Sequence, residues 1–260
     1  MVDNTKLAHF ITSLGSLNDY GSTVLQTKQA LETGTTTPLN QEGEDVAIFQ
    51  DALKGIHAIE KIGFSVAGII AINQAFDTPS PEQPTLPGYL RNAYHNEADR
   101  IAVIIGKNAS QGYFPPEVIT RDDLQQIVDT FHHLPQDQTD AWRLFARLAK
   151  LQPFQDGNKR TALIAANAAI GALKTQDYLL VPDNDLDRLD FTTSLMRYYM
   201  ASTEEEEEEA FDRLLTFTAR TSSEPRVDER ISYQLEISRL KPEIRKAKQH
   251  LDPRQRLVSS

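Results

Sequence analysis

The run Gln152-Pro153-Phe154-Gln155-Asp156-Gly157-Asn158-Lys159-Arg160-Thr161 concentrates residue types that bind anions. Pro153 and Gly157 mark a turn between two helical patterns, and the second helix is predicted to start near Asn158. A helix start turns unpaired backbone N–H groups and the positive end of its dipole toward the loop. Lys159 and Arg160 add two cations, and an Arg fork can grip phosphate oxygens in pairs. Asp156 supplies a hard oxygen suited to Mg²⁺, which keeps its own waters and bridges phosphates. Phe154 is the expected buried anchor of the turn. The chemistry implied is phosphate plus metal at a helix N-terminus, with a plain polar interhelical loop as the alternative. Neither G-x-x-x-x-G-K-[ST] nor G-x-G-x-x-G occurs.

Other chemistries are poorly supplied. With no Cys there is no disulfide frame, thiolate zinc site or thiol nucleophile. No His pair has HExxH spacing. His132 and His133 end a predicted helix, where imidazoles commonly partner the dipole. A net charge of -10 argues against a nucleic-acid coat, because phosphate binding draws on Lys and Arg. The apolar stretches Phe64–Ile72 and Ala162–Leu173 are too short to span a bilayer, and Met1–Leu17 has no continuous apolar core for a signal peptide. The expectation is a cytoplasmic protein without a membrane segment.

The elements that must position the loop read as helices. Val46, Phe49, Leu53, Ile56 and Ile59 recur at three- and four-residue spacing, and a second apolar segment runs from Phe64 to Phe76. Thr78–Pro87, with four prolines, is a connector. A helix starting near Asp122 presents Leu124, Ile127, Val128 and Phe131. The next, capped by Thr139 or Asp140, buries Trp142, Phe145, Leu148 and Ala149. Thr161–Leu173 is apolar nearly all round and belongs at the centre of a bundle, where Asn167 needs a structural partner. Ile101–Ile105 and Tyr113–Phe114, around the turn residues Gly106–Gly112, predict a small β-hairpin. Glu204–Glu209 after Thr203 fits a capped helix start or a disordered loop, and the basic stretch Arg226–Arg256 fits a solvated helical tail or a partner-binding arm. The division expected is an N-terminal helical segment over 1–35, a main domain over 36–220 and a tail over 221–260.

Residues 152–161 resemble the signature of the Fic/Doc (Fido) family, His-Pro-Phe-x-Asp-Gly-Asn-(Gly/Lys)-Arg, with Pro153, Phe154, Asp156, Gly157, Asn158 and Arg160 in register. Pro87–Arg91, Val103–Gly106 and Tyr113–Pro116 resemble the family's approach to its substrate-docking flap, so the resemblance covers roughly Ser22 to Leu195. It implies a mainly α fold, a Fido helical bundle with a small β-hairpin flap. It also implies transfer of AMP from ATP, with Mg²⁺, to a hydroxyl of a target protein. On that resemblance Asp156 is the Mg²⁺ ligand and Gly157, Asn158 and Lys159 line the anion hole beside Phe154, while Arg160 binds the ATP phosphates. Asn108, Ala109, Ser110, Gln111, Gly112 and Tyr113 dock the target segment by strand addition.

The departures carry as much information. Gln152 stands at the family's catalytic His, and a carboxamide has no usable basicity; losing a general base costs about 10²–10⁴ in rate. Leu163 stands where nucleotidylating members carry a second Arg. Ser22–Thr27 resembles the family's inhibitory helix, with Gln26 in place of its Glu, so that an ion pair to the phosphate-binding Arg would be lost; an ordinary polar N-terminal helix is the alternative. The expectation is a nucleotide-binding protein derived from adenylyltransferases and impaired in AMP transfer, a pseudoenzyme. The alternatives are an active transferase or Doc-like kinase using Gln152 for positioning, and a non-catalytic interaction module. Its partners would be a nucleotide and a target protein, with a homo-oligomer left open.

Overall fold

The computed structural model describes residues 4–80, 84–104, 112–182 and 185–218. The chain is mainly α, a helical bundle with one two-stranded sheet among the described residues. Its centre is α7 (Asn158–Ala169), in which Asn158 and every residue from Arg160 to Asn167 are buried. Packed against it are α6 (Gln138–Leu151), α4 (Val66–Gln74), α3 (Asp45–Ile62) and α1 (Thr5–Ser16). The amphipathic α6 turns Trp142, Phe145, Leu148 and Ala149 into the core, as its periodicity requires. Around this body lie α2 (Val24–Thr33) against α1, α5 (Arg121–His132) against α6, and α9 (Asp185–Met200) paired with α10 (Glu204–Thr218).

Helix ends follow side-chain chemistry, with some shifts from expectation. Thr120 and Asp123 form the capping box of α5. The cap of α6 is Asp137, not Thr139 or Asp140; Asp140 closes the box from the third helical position, so both carboxylates are used at one helix start. The all-apolar segment does not run to Leu173. It stops at Ala169, and Gly171 at φ 73° turns the chain into the short α8 (Ala172–Thr175). Asn167 donates to the Leu163 carbonyl (2.9 Å) and accepts from the Leu179 amide (2.8 Å), the structural bond its burial requires.

Of the described residues of the β-branched run, Ile101 and Ala102 lie outside the hairpin ladder. β1 (Val103–Ile104) pairs antiparallel with β2 (Gly112–Tyr113), Val103 opposite Tyr113 and Ile104 opposite Gly112. Asn108, Ala109, Ser110 and Gln111 lie outside the described residues, as does the 221–260 tail. Among the described residues no helix is long and apolar enough to cross a membrane.

Candidate functional site

The loop between α6 and α7 is built from its own side chains. Gln152 is the C-cap of α6 in the left-handed conformation, φ 51° and ψ 58°, which costs a non-glycine residue about 1–2 kcal/mol. The residue is 8% exposed, and both ends of its carboxamide are engaged. Nε2 donates to the Ala149 carbonyl (2.6 Å), and Oε1 accepts from Asn158 Nδ2 (3.0 Å). Asn158 in turn accepts the Phe154 amide on Oδ1 (2.8 Å) and donates to the Phe154 carbonyl (2.8 Å). Phe154 is fully buried beneath this staple.

Gly157, the N-cap of α7, sits at φ 74° and offers no side-chain cap. A Cβ there would meet Phe76 Cδ2 at 2.7 Å, so only glycine fits. Its amide donates to Asp156 Oδ1 (2.6 Å). From α4, the buried Asn73 donates to the Asp156 carbonyl (2.9 Å) and accepts the Gly88 amide (2.8 Å), holding the turn from below.

Above the loop lies a cavity of about 610 Å³. Gln152, Gln155, Asp156, Gly157, Asn158 and Lys159 of the loop line it together with Val103 and Ile104 of β1, and the segment before β1, including Glu97 and Arg100, lines it as well, with Asn18. The structure therefore brings together the loop residues and the base of the hairpin. Lys159 Nζ donates to the Leu17 carbonyl (3.0 Å) at the end of α1, the negative pole of that helix. Arg160 is placed differently. It is 1% exposed, its guanidinium lies over the Phe76 ring (4.8 Å), and it is not among the residues lining the cavity.

Leu163 is fully buried. Ser22 is buried against Asp45, its hydroxyl donating to Oδ2 at 2.5 Å. Gln26 turns its oxygen back to the Thr23 amide (2.9 Å) as part of the capping box of α2. Tyr113 packs on Tyr199 (5.4 Å), and burial pushes the Tyr113 phenol up to about 12. Tyr199, wholly buried, is also raised by burial; its hydroxyl faces the Gln152 carboxamide without reaching hydrogen-bond geometry. No His among the described residues lines the cavity; His132 packs edge-on against Phe64 (5.6 Å), and His133 Nδ1 meets the Asp129 carbonyl (2.6 Å) at the end of α5.

No group of three or more His, Asp or Glu among the described residues could by itself cage a metal. A single carboxylate is the donor set Mg²⁺ uses when phosphates and water complete its shell, so Asp156 suits a nucleotide-borne Mg²⁺.

Two organising residues escaped the sequence reading. Asn73 is a buried amide at the end of an apolar helix, a signal close to the one that marked Asn167. Arg91 is 1% exposed and donates to the carbonyls of Gln152 (2.6 Å), Asp99 (2.9 Å) and Pro116 (2.9 Å). Nothing in its sequence neighbourhood announces those three acceptors.

The model of the Fic/DOC family matches residues 20–170. In three dimensions the chain is similar to a Fic-domain-containing signaling protein from Bacteroides thetaiotaomicron, with TM-score 0.58 and 17% identity over 84% of this chain and 82% of that one. It is also similar to Fic-1 (residues 134–508) from C. elegans, with TM-score 0.51 and 15% identity over 86% of this chain and 66% of that one. At these identities the likeness is one of fold. No curated protein sequence matches the chain.

Proposed function

This chain belongs to the Fic/DOC family, and from that premise we propose that it is a cytoplasmic nucleotide-binding member, descended from protein adenylyltransferases and impaired in AMP transfer. Family members act on nucleotides and protein targets. The observation that carries the reading is Gln152. The side chain at the family's catalytic position has no basic lone pair, and its two polar ends are engaged by Ala149 and Asn158. The cavity above the loop would hold ATP, with its phosphates toward the start of α7 and Lys159 exchanging the Leu17 carbonyl for a phosphate oxygen. Mg²⁺ on Asp156, when bound, would neutralise phosphate charge. Arg160, stacked on Phe76, supports the loop from the core side in this reading, and its contribution to phosphate binding is electrostatic. A non-catalytic interaction module draws support from Tyr94 and Phe114, exposed by 75% and 63% on the segments flanking the hairpin.

The test uses ATP labelled separately at the α- and γ-phosphates, incubated with the chain and a cell lysate, beside calorimetry with Mg·ATP. Binding without transfer of either label is expected. Lys159→Ala should weaken binding by about tenfold, the worth of one charge-assisted contact. Transfer of the α label to protein would overturn the impairment, transfer of γ would make the protein a kinase, and no binding would leave the interaction module.

A further inference from the structure

Three segments of the chain present backbone oxygen to one buried cation. Arg91 Nε takes the carbonyl of Gln152, Nη1 that of Asp99 and Nη2 that of Pro116. The Arg91 main chain adds two more bonds, its amide to the Pro153 carbonyl (3.0 Å) and its carbonyl to the Ile119 amide (2.9 Å). Asp99 closes η1 (Glu97–Asp99), which leads into β1, and Pro116 follows β2. The acceptors are therefore the site residue at the end of α6 and the two legs of the hairpin.

All three acceptors of the guanidinium are neutral carbonyls, and burial lowers the pKa of Arg91. Carbonyl oxygens from separate segments repel one another unless a cation sits between them, and a planar fork with donors on three edges can serve three at once. A Lys in the same place is a compact charge on a flexible stem and cannot hold that geometry. A parallel strut reinforces the link: Asp99 Oδ1 accepts from Gln155 Nε2 (2.6 Å) and Oδ2 from the Asn92 amide (2.7 Å).

We propose that Arg91 is a positioning residue that couples the hairpin to the loop. It holds the Gln152 carbonyl so that position 152 keeps its left-handed backbone, and it carries displacements of the hairpin legs to that same carbonyl. Whichever side chain stands at 152 is aimed by Arg91, and a segment docked on the hairpin is sensed at the loop through it. This inference deepens the nucleotide-site reading, but its first test needs no nucleotide.

Amide hydrogen exchange on the full chain compares wild type, Arg91→Lys, Arg91→Met and the control Glu117→Gln, which weakens the exposed pair with Arg100 between the two hairpin legs. Both Arg91 variants should speed exchange by about tenfold at two places together, residues 154–158 and the Val103–Tyr113 pair, while α3 and α5 keep their protection. Glu117→Gln should leave residues 154–158 unchanged. Exchange that rises evenly through every helix, or at one of the two places alone, overturns the coupling. Should the Arg91 variants fail to fold, the wild-type Arg91 Nε–H resonance supplies the readout. It should exchange slowly and shift on Tyr113→Ala, and an unmoved resonance overturns the proposal. In a second arm, Mg·ATP should slow hairpin exchange in wild type and not in Arg91→Lys at saturating nucleotide. Wild-type binding without a hairpin response sinks the coupling. Absence of binding sinks the nucleotide site instead and leaves the first arm to decide.

Discussion

At the scale of single residues, the orientation of two amides decides what the loop can do. The Phe154 N–H requires an oxygen, which fixes Asn158 Oδ1 toward it and turns Asn158 Nδ2 to Gln152. Gln152 must then present its oxygen to Asn158 and its nitrogen to the Ala149 carbonyl. The carboxamide is a latch between the end of α6 and the start of α7. Asn158→Ala should cost about 2–4 kcal/mol in urea unfolding, because it strands both backbone groups of the buried Phe154. Gln152→Ala should cost less, about 1–2 kcal/mol. If the missing base is the sole defect, Gln152→His should restore transfer of the α label; a folded, ATP-binding variant without transfer would mean that the hairpin or cavity has diverged as well. Leu163→Arg cannot assist that repair. Leu163 is fully buried in α7, so an unpaired guanidinium there should unfold the chain, seen as loss of the cooperative melt.

Among elements, the start of α10 shows how an acidic run becomes structure. The Thr203 hydroxyl accepts the Glu206 amide (3.2 Å), and Glu206 Oε2 returns to the Ser202 amide (2.8 Å). Glu207 pairs with Lys150, and Glu208 holds Arg143 through two bonds (2.6 and 2.8 Å), so two of the six carboxylates tie α10 to α6. Arg143 also lies 4.0 Å over the Phe211 ring. Glu208 is about half exposed, and Glu208→Gln should cost under about 1 kcal/mol, less at high salt. Arg143→Ala loses the ring contact and its apolar stem too, so about 1–2 kcal/mol is expected in the same denaturant titration. Equal losses would mean that the ion pair carries everything.

Across the whole molecule, the helices were legible where burial alone sets the pattern. α3, α5 and α6 follow from apolar spacing, and the central place of α7 follows from its lack of a polar face. The site was legible as a loop of the right residue types, because Pro153, Gly157 and Asn158 act on neighbours in sequence. What spacing could not convey is partnership across the chain: Arg91 with Gln152, Asn73 with Asp156, and Arg160 turned to Phe76. Such contacts depend on which helices meet, and no local pattern encodes that. The buried phenols add a property of the whole fold. Burial raises Tyr20 and Tyr113 from 10.0 to about 12, and Tyr199 is raised as well. A raised folded pKa means that the native state keeps the proton the unfolded chain gives up. Their contribution is therefore complete below pH 10 and is lost as pH climbs toward about 12. The melting temperature should fall across that window, and Tyr113→Phe should flatten the fall. An equally steep fall in that variant would place the effect elsewhere. Phe76, finally, has a bearing on lineage. Its ring forbids a Cβ at 157 and floors the guanidinium of Arg160. A change at any one of these three positions alters the space or the support left to the other two. Among homologous sequences they should therefore drift in step, so that the motif is inherited with a phenylalanine about eighty residues upstream of Gly157.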